Sequence, residues 1–247
     1  MVCHGGRKIF SDGMFRFQQF TVNDDRCAMK VGTDGVLLGA WTPCQQAKTA
    51  LDIGAGCGLV AMMLAQRNPM LSVTAVEIEP DAAAQAAENV AESPFGNRIS
   101  VECADILTYA STVEPEGFDL IVSNPPFFQE TLLPPDALRA AARHTRAGLN
   151  FEALVKVAAT LLRRGGVFSV IIPTVAEHDF HVLCAASGLS LHHATAVQTV
   201  VRKLPKRSLL HFQKGPSPTR VERDVLVLMT DGKRSEAYAA LCRDFYL

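Results

Sequence analysis

The chain has 247 residues, of which 48% are hydrophobic, and its formal net charge is −1. No apolar run approaches the ~20 residues of a membrane span, and the N-terminus lacks a signal-peptide pattern, so we expect a cytoplasmic protein. The seven cysteines are scattered without a C-x-x-C pair, which argues against a disulfide framework or a zinc site; we expect no metal.

Strand-like and helical segments alternate through most of the chain. Strands are predicted at 49–55, 71–79, 98–105, 118–124 and 167–173, and helices at 58–67, 80–93, 150–164 and 175–187. This alternation is typical of βαβ units, in which helices cover both faces of a parallel sheet. We therefore predict an α/β fold with a doubly wound, mostly parallel sheet.

The pattern changes after Gly188. Residues 189–200 and 207–215 predict two strands of an antiparallel hairpin at one edge of the sheet. Residues 223–232 suggest a further strand, and residues 235–247 a terminal helix.

The stretch "LDIGAGCG" (51–58) places an acid, Asp52, at the end of a strand and glycines in the turn before a helix: Gly54, Gly56 and Gly58. Glycines allow a tight turn and let a ligand approach the backbone closely. Glu77 and Asp105 end the next two predicted strands. Ligands of doubly wound sheets bind outside the carboxyl ends of the strands. We therefore expect Asp52, Glu77 and Asp105 to surround one nucleoside-like ligand, with Glu77 on the ribose hydroxyls.

The glycine turn alone leaves alternatives open, because any βα turn can use glycine. A nicotinamide dinucleotide site is the nearest functional rival, with the fingerprint G-x-G-x-x-G. Here Leu59 stands where that fingerprint has its third glycine. The negative charge of Asp52 also suits a cation better than a diphosphate. S-adenosylmethionine, which carries a sulfonium and an ammonium group, fits that charge.

The stretch "LIVSNPPFF" (120–128) predicts a buried strand that stops at Pro125 and Pro126, because proline cannot donate to a sheet ladder. The side-chain carbonyl of Asn124 and the backbone carbonyl of Pro125 could accept the two N–H groups of a planar amine. Phe127 offers a ring on which a base could stack. The alternative is a turn with two core phenylalanines, and for Phe128 we favour core packing.

These motifs together resemble those of class I S-adenosylmethionine-dependent methyltransferases: "LDIGAGCG", Glu77, "AD" at 104–105 and "NPPF" at 124–127. The N-P-P-[Y/F] element is similar to that of enzymes that methylate planar amino or amide nitrogens. Residues 20–41 and 235–247 resemble the bacterial tRNA1(Val) (adenine-37-N6)-methyltransferase family.

The resemblance implies a Rossmann-like, seven-stranded sheet with an antiparallel edge hairpin. It also implies S-adenosylmethionine as cofactor, methyl transfer to N6 of adenine 37 in tRNA(Val), and a monomer. One domain would span 1–247, with an extension and cofactor lid (1–48), a cofactor-binding core (49–188), and the hairpin with the terminal helix (189–247). Methylation of protein glutamine N5 or of ribosomal RNA guanine N2 remains open, as does a non-catalytic RNA- or nucleotide-binding module.

The resemblance also assigns site residues. In the resembled family, the segment "KVGTDGVLLGAW" (30–41) closes over the methionine end of the cofactor, which makes Lys30 and Thr33 candidate cofactor contacts. The alternative is structural, with Thr33 or Asp34 capping the helix that follows. Asn124 is expected to touch both the cofactor and the target amine.

A basic loop follows residue 201 and contains Arg202, Lys203, Lys206 and Arg207. Such a charge run is either a solvated loop or a phosphate-contacting patch next to the active site. Arg143, with His144 and Arg146, could extend this patch. Two histidine pairs lack the acids or cysteines of a metal site and are expected to be structural or solvent-facing: His178/His181 and His192/His193.

Overall fold

The computed structural model describes residues 13–126 and 150–247, and a nine-stranded sheet runs through this part of the chain. A two-stranded hairpin, β1 (Met14–Arg16) and β2 (Thr21–Asn23), lies apart from it. The large sheet contains β3 (Thr49–Ile53), β4 (Ser72–Glu77), β5 (Ile99–Cys103), β6 (Phe118–Ser123), β7 (Leu162–Pro173), β8 (Leu189–Val200), β9 (Arg207–Lys214), β10 (Glu222–Thr230) and β11 (Lys233–Arg234). Their spatial order is β11-β10-β8-β9-β7-β6-β3-β4-β5. The predicted α/β class with a mostly parallel sheet is confirmed.

The predicted antiparallel hairpin exists, but its predicted place at the edge is wrong. Strand β9 pairs antiparallel with both β7 and β8, and β10 then continues the sheet in parallel with β8. The large sheet therefore has more strands than the seven expected. Strand β10 can take this place because its Leu226 and the Tyr238 side chain that follows it are both buried in the same core cluster.

Helices cover both faces of the sheet. They are α1 (Thr33–Trp41), α2 (Leu59–Arg67), α3 (Pro80–Glu92), α4 (Ile106–Ala110), α5 (Phe151–Leu161), α6 (Glu177–Ala186) and α7 (Glu236–Leu241). Successive residues of one strand enter different core clusters: Ala50 packs with α1 and α2, whereas Leu51 packs with α5 and α6. This alternation is the period of a pleated strand and confirms a sheet buried on both sides. Among the described helices, none is long and apolar enough to cross a membrane.

The helix predicted at 150–164 is shorter than expected. It ends at Leu161, and β7 begins at the buried Leu162 and continues through the glycines that were expected to stop the helix. Gly165 has a φ of +75°, and the pairing of β6 with β7 shifts register between Phe118 and Leu120. Gly165 thus provides a left-handed residue inside an irregular strand start, where it was expected to end a helix.

Candidate functional site

Four neighbouring strands end side by side at one edge of the sheet. The parallel register pairs Ile53 with Ser123 and with Val76, and Glu77 with Cys103. The residues at or just beyond these strand ends are Asn124, Gly54, Glu77 and Asp105. The structure therefore brings together four residues that the sequence singled out, at the edge where ligands of doubly wound sheets bind.

The glycine turn between β3 and α2 is open on one side. Gly54 and Gly56 have φ of +70° and +54°, and, apart from their two neighbours in the chain, no described residue has a heavy atom within 4 Å of the position that a Cβ would occupy at either glycine. Gly58, with a φ of +79°, is different, because a Cβ there would lie 3.5 Å from Ala86 Cβ on α3. Gly54 and Gly56 thus leave an open cradle against the backbone, whereas Gly58 serves helix packing.

Glu77 holds this turn in place. Its buried carboxylate accepts hydrogen bonds from the Gly56 N–H (2.7 Å, to Oε2) and the Glu79 N–H (3.0 Å, to Oε1). Each carboxylate oxygen has a further lone pair, so a ribose contact remains possible in addition to these bonds. That contact stays a prediction.

Asp52 is placed deeper than the sequence implied. Its side chain is 1% exposed, and its Oδ2 accepts a hydrogen bond of 3.1 Å from the Ala61 N–H in the first turn of α2. Burial raises the pKa of Asp52 to about 7; the Ala61 N–H opposes that rise and the negative charge of Glu77 adds to it. Asp52 therefore ties β3 to α2, and its direct contact with a ligand stays a prediction.

Asp105 caps helix α4. Its Oδ1 accepts hydrogen bonds from the N–H groups of Leu107 and Thr108, both at 3.0 Å. The cap fixes the carboxylate beside the end of β5. Its place around a nucleoside-like ligand stays a prediction.

Asn124 carries an unusual atom. Its Oδ1 is buried and has no hydrogen-bond partner among the described residues. The neighbouring Ser123 hydroxyl donates to the Ile53 carbonyl (2.9 Å), which fixes the end of β6 against the end of β3. An unpaired buried acceptor costs about 1–3 kcal/mol, so this oxygen is poised for a donor that a ligand would supply. Pro125 is buried and Pro126 is exposed, and Phe127 and Phe128 lie outside the described residues.

The two candidate lid residues have different surroundings. The exposed Lys30 ammonium donates to the carbonyl oxygens of Asp24 (2.6 Å) and Asp25 (3.1 Å). Thr33 is the first residue of α1 and lines a cavity described below. The structural alternative, a helix cap by Thr33 or Asp34, is wrong, because the N-cap is Gly32 without a side-chain hydrogen bond.

The basic loop connects β8 and β9. Arg202, Lys203 and Lys206 are exposed there. Arg207 differs, since its Nε donates to Asp34 Oδ2 at 2.8 Å. Arg143, His144 and Arg146 lie outside the described residues.

In the described part of the chain, no group of three or more His, Cys, Asp and Glu side chains could hold a metal ion.

Two buried amides that the sequence analysis did not single out support the site. Asn89 Nδ2 donates to the carbonyl oxygens of Cys57 (2.9 Å) and Asn23 (2.8 Å), which links the glycine turn to β2. One turn earlier on α3, Gln85 Oε1 accepts from the Arg26 N–H (3.0 Å). Their spacing of four residues places both amides on one face of an alanine-rich helix, which is the signal that could have identified them.

A family model decides the broader identity of the chain. Residues 30–181, more than half of the sequence, match the family model described as methyltransferase small domain. The chain belongs to this methyltransferase family. The predicted resemblance is thereby confirmed, and the matched range includes the whole row of strand ends.

Sequence relatives of this methyltransferase are similar to it over nearly their full length. A relative from Bacteroides fragilis, named tRNA1(Val) (adenine(37)-N6)-methyltransferase, is 45% identical over 237 residues, which cover 96% of this chain and 99% of the relative. A relative of the same name from Escherichia coli is 44% identical over 241 residues, or 97% of each chain. The fold is similar to a solved structure described as a predicted O-methyltransferase from Agrobacterium tumefaciens, with a TM-score of 0.68 at 21% identity over 86% of this chain and 96% of that chain.

The raised pKa of Asp52 predicts a pH dependence of stability for this methyltransferase. Because the folded-state pKa is about 7 and the unfolded one about 4, the folded state holds a proton that the unfolded state releases between these values. The free energy of unfolding that this group contributes is therefore present below pH ~4 and is lost as the pH rises to ~7.

Asp52→Asn keeps an acceptor for the Ala61 N–H and removes the titration. We expect the free energy of unfolding of the variant, relative to the native protein, to rise by about 2–4 kcal/mol from pH ~4 to ~8. Urea unfolding across this range measures the difference. Asp231→Asn, at an exposed turn residue, is the matched control for the same chemical change. A flat difference for Asp52→Asn would show that the carboxylate titrates normally.

Proposed function

We propose that this methyltransferase transfers a methyl group from S-adenosylmethionine to N6 of adenine 37 in tRNA1(Val). The observation that carries the proposal is the buried Oδ1 of Asn124, which has no hydrogen-bond partner in the described part of the chain and lies beside the open cradle at Gly54. The names of relatives that are 44–45% identical over nearly the whole chain supply the RNA and the position.

The residues at the strand ends fit S-adenosylmethionine. The open sides of Gly54 and Gly56 would admit it against the backbone, and Glu77 would accept hydrogen bonds from its ribose hydroxyls. Asp105 would hold the adenine end, and Lys30 and Thr33 would belong to the segment that closes over the methionine end. Bound there, S-adenosylmethionine supplies an electrophilic methyl group on a sulfonium.

Asn124 and Pro125 would prepare the nucleophile. The lone pair of an adenine N6 amine is delocalised into the ring, which makes the amine a poor nucleophile. Asn124 Oδ1 would accept one N–H and the Pro125 carbonyl the other, and together they would direct the lone pair out of the plane of the base. Proline fixes φ, so the backbone carbonyl of Pro125 is held in one direction. The ring of Pro126, the next residue, fixes φ there in the same way. Methyl transfer is an in-line displacement, and correct placement of the reacting amine supplies much of the rate of such a reaction.

Phe127 would hold the ring that carries the amine. Stacking of a base on an aromatic side chain contributes about 1–3 kcal/mol, comparable with the few kcal/mol that extruding a base requires. A loop nucleotide is already partly unstacked, so its base costs less to extrude. Stacking on Phe127 can therefore offset the extrusion cost more readily in an RNA loop than in a duplex.

The loop between β8 and β9 would contact the RNA backbone. Its three exposed cations stand beside exposed apolar side chains, Val201 at 67% and Leu204 at 85% exposure. Arg207 is already paired with Asp34, so we assign it a smaller part than Arg202, Lys203 and Lys206. Arg143 would extend the patch.

Replacing Arg202, Lys203 and Lys206 together by glutamine should weaken RNA binding in a salt-dependent way. Each lost phosphate contact removes about 0.7–0.9 from the slope of log K against log salt, so the slope should become shallower by about 2. Fluorescence anisotropy with a labelled anticodon stem-loop at several salt concentrations measures this slope. An unchanged slope would mean that the loop is only solvated.

The remaining features are part of the same proposal. The protein would act as a cytoplasmic monomer, and a single domain would span residues 1–247, with the three segments that the sequence predicts. The extension (1–48) and the terminal segment (189–247) would then flank one cofactor-binding core.

Methylation of unmodified tRNA with labelled S-adenosylmethionine, followed by nucleoside mass spectrometry, tests the proposed reaction. We expect label in N6-methyladenosine, and none in a transcript with guanine at position 37. Label in guanine would indicate guanine N2 methylation, and label only in protein would indicate glutamine methylation. A thermal shift with S-adenosylmethionine but no transfer to any substrate would favour a non-catalytic module.

A further inference from the structure

A cavity of about 480 Å³ lies outside the row of strand ends. The start of α1, the turn between β10 and β11, and the C-terminal segment form its walls. Among the described residues, its lining includes two cations, Lys233 and Arg234, and no aspartate or glutamate. The rings of Tyr238, Tyr246 and Phe15 also line it. A cationic and aromatic lining is suited to an anionic ligand with a flat ring.

The aromatic wall holds the Arg234 guanidinium in a defined place. The guanidinium carbon lies 4.1 Å from the centroid of the Tyr246 ring and 5.9 Å from that of Tyr238. The two tyrosine hydroxyls are 3.1 Å apart, and the Phe15 ring packs edge-on against Tyr246. Arg234 itself is exposed. A guanidinium over a ring can stack a base on its other side, as arginine does in single-stranded RNA recognition.

The start of α1 adds donors to the same cavity. Gly32 is the N-cap without a side-chain hydrogen bond, so the first N–H groups of this nine-residue helix have no capping side chain. The acid in the first turn, Asp34, is paired with Arg207, which offsets its repulsion of an anion. Together with the Lys233 ammonium, these N–H groups suit a phosphate.

Part of the cavity wall, the end of β10, lies at the edge of the sheet that carries Asn124. Strand β7 is parallel to β6, β9 is antiparallel to β7, β8 is antiparallel to β9, and β10 is parallel to β8. Strands β10, β8 and β6 therefore point the same way, and the end of β10 at Thr230 lies at the same edge. In the strand order, the basic loop between β8 and β9 lies between this end and the end of β6.

We propose that this cavity binds a second nucleotide of the RNA substrate, at a distance from the target adenine. Its base would stack on Arg234 over Tyr246, and its phosphate would be held by Lys233 and the start of α1. The inference rests on the proposed RNA methylation and adds a subsite to it. The basic loop then lies on the path of the RNA between the two bound nucleotides.

Substitutions in the cavity test the subsite. Arg234→Gln removes the guanidinium, and Lys233→Gln removes the second cation. Thr199→Glu places a carboxylate at an exposed position of the lining without touching the tyrosine stack. Arg164→Gln, at an exposed residue near the start of β7 and so at the opposite edge of the sheet, is the matched control.

For Arg234→Gln, we expect Kd and KM for a tRNA anticodon stem-loop to rise about tenfold, the typical effect of one lost base stack. Thr199→Glu should also raise both, because its carboxylate would repel the phosphate. Lys233→Gln should make the salt slope of binding shallower by about 0.7–0.9. The thermal shift by S-adenosylmethionine and the kcat at saturating RNA should stay within about twofold of the native protein, because the three substituted residues are assigned neither to the cofactor nor to the reacting amine.

The outcomes separate the subsite from the proposed function. If the native protein methylates the RNA and all cavity variants keep its Kd and KM, the subsite is wrong and the proposed function stands. If the native protein transfers no methyl group to RNA, both fail. Adenosine monophosphate is the last probe. If it binds the native protein tightly but does not bind Arg234→Gln, and if that variant keeps its affinity for the stem-loop, the cavity is a site for free nucleotides. That result would overturn the proposal.

Discussion

Replacing Asn124 by alanine is expected to lower the kcat of methyl transfer by about 10²–10³, the effect of removing one preorganised polar group aimed at a developing charge. The Oδ1 acceptor is assigned to the amine of the target base, and Asn124 is one of several residues assigned to the cofactor, so the Kd for S-adenosylmethionine should change by less than about threefold. Single-turnover transfer to tRNA and a thermal shift or calorimetric titration with the cofactor measure the two quantities.

The free energy of unfolding of the Asn124→Ala protein provides a second expected result. Since Asn124 Oδ1 is buried without a partner among the described residues, alanine removes a desolvated acceptor and should leave the free energy of unfolding equal or slightly higher. Asn97→Ala, at an exposed asparagine, is the matched control and should retain full activity. A destabilised and fully active Asn124→Ala protein would mean that the oxygen has a structural role and that the proposed grip is wrong.

Gly54→Ala is expected to weaken S-adenosylmethionine binding by about 10–100-fold, because a methyl group would occupy the open cradle where the ligand meets the backbone. The substitution also carries a strain cost of about 1–2 kcal/mol, since Gly54 has a φ of +70°. Calorimetric titration with the cofactor and urea unfolding separate the two effects.

Gly188→Ala is the control for that strain. Gly188 has a φ of +76°, and its Cβ position is equally open. It lies after α6, before the start of β8 and outside the row of strand ends. Both variants should lose a similar free energy of unfolding, but only Gly54→Ala should lose cofactor affinity. Equal affinities in the two variants would place the cofactor elsewhere.

The sequence predicted the strand ends of the site better than the roles of their acids. It predicted that Asp52, Glu77 and Asp105 lie close together because parallel strands bring their carboxyl ends together, and the register places the ends of these strands side by side. It could not predict that Asp52 is buried on the Ala61 N–H. An acid at a strand end can turn either toward the ligand edge or under the following helix, and packing of α2 decides between them.

Local chemistry therefore determined the α/β class, the glycine turn and the break at Pro125, because hydrophobic period, positive φ and the missing proline N–H act within a few residues. Tertiary structure alone decided the rest. Arg207 is held by Asp34 across 173 positions of sequence. Strand β10 extends the sheet beyond the hairpin, and the C-terminal rings meet the start of α1 around a cavity. These features depend on which surfaces, distant in the sequence, pack together, and a local sequence pattern does not predict such packing.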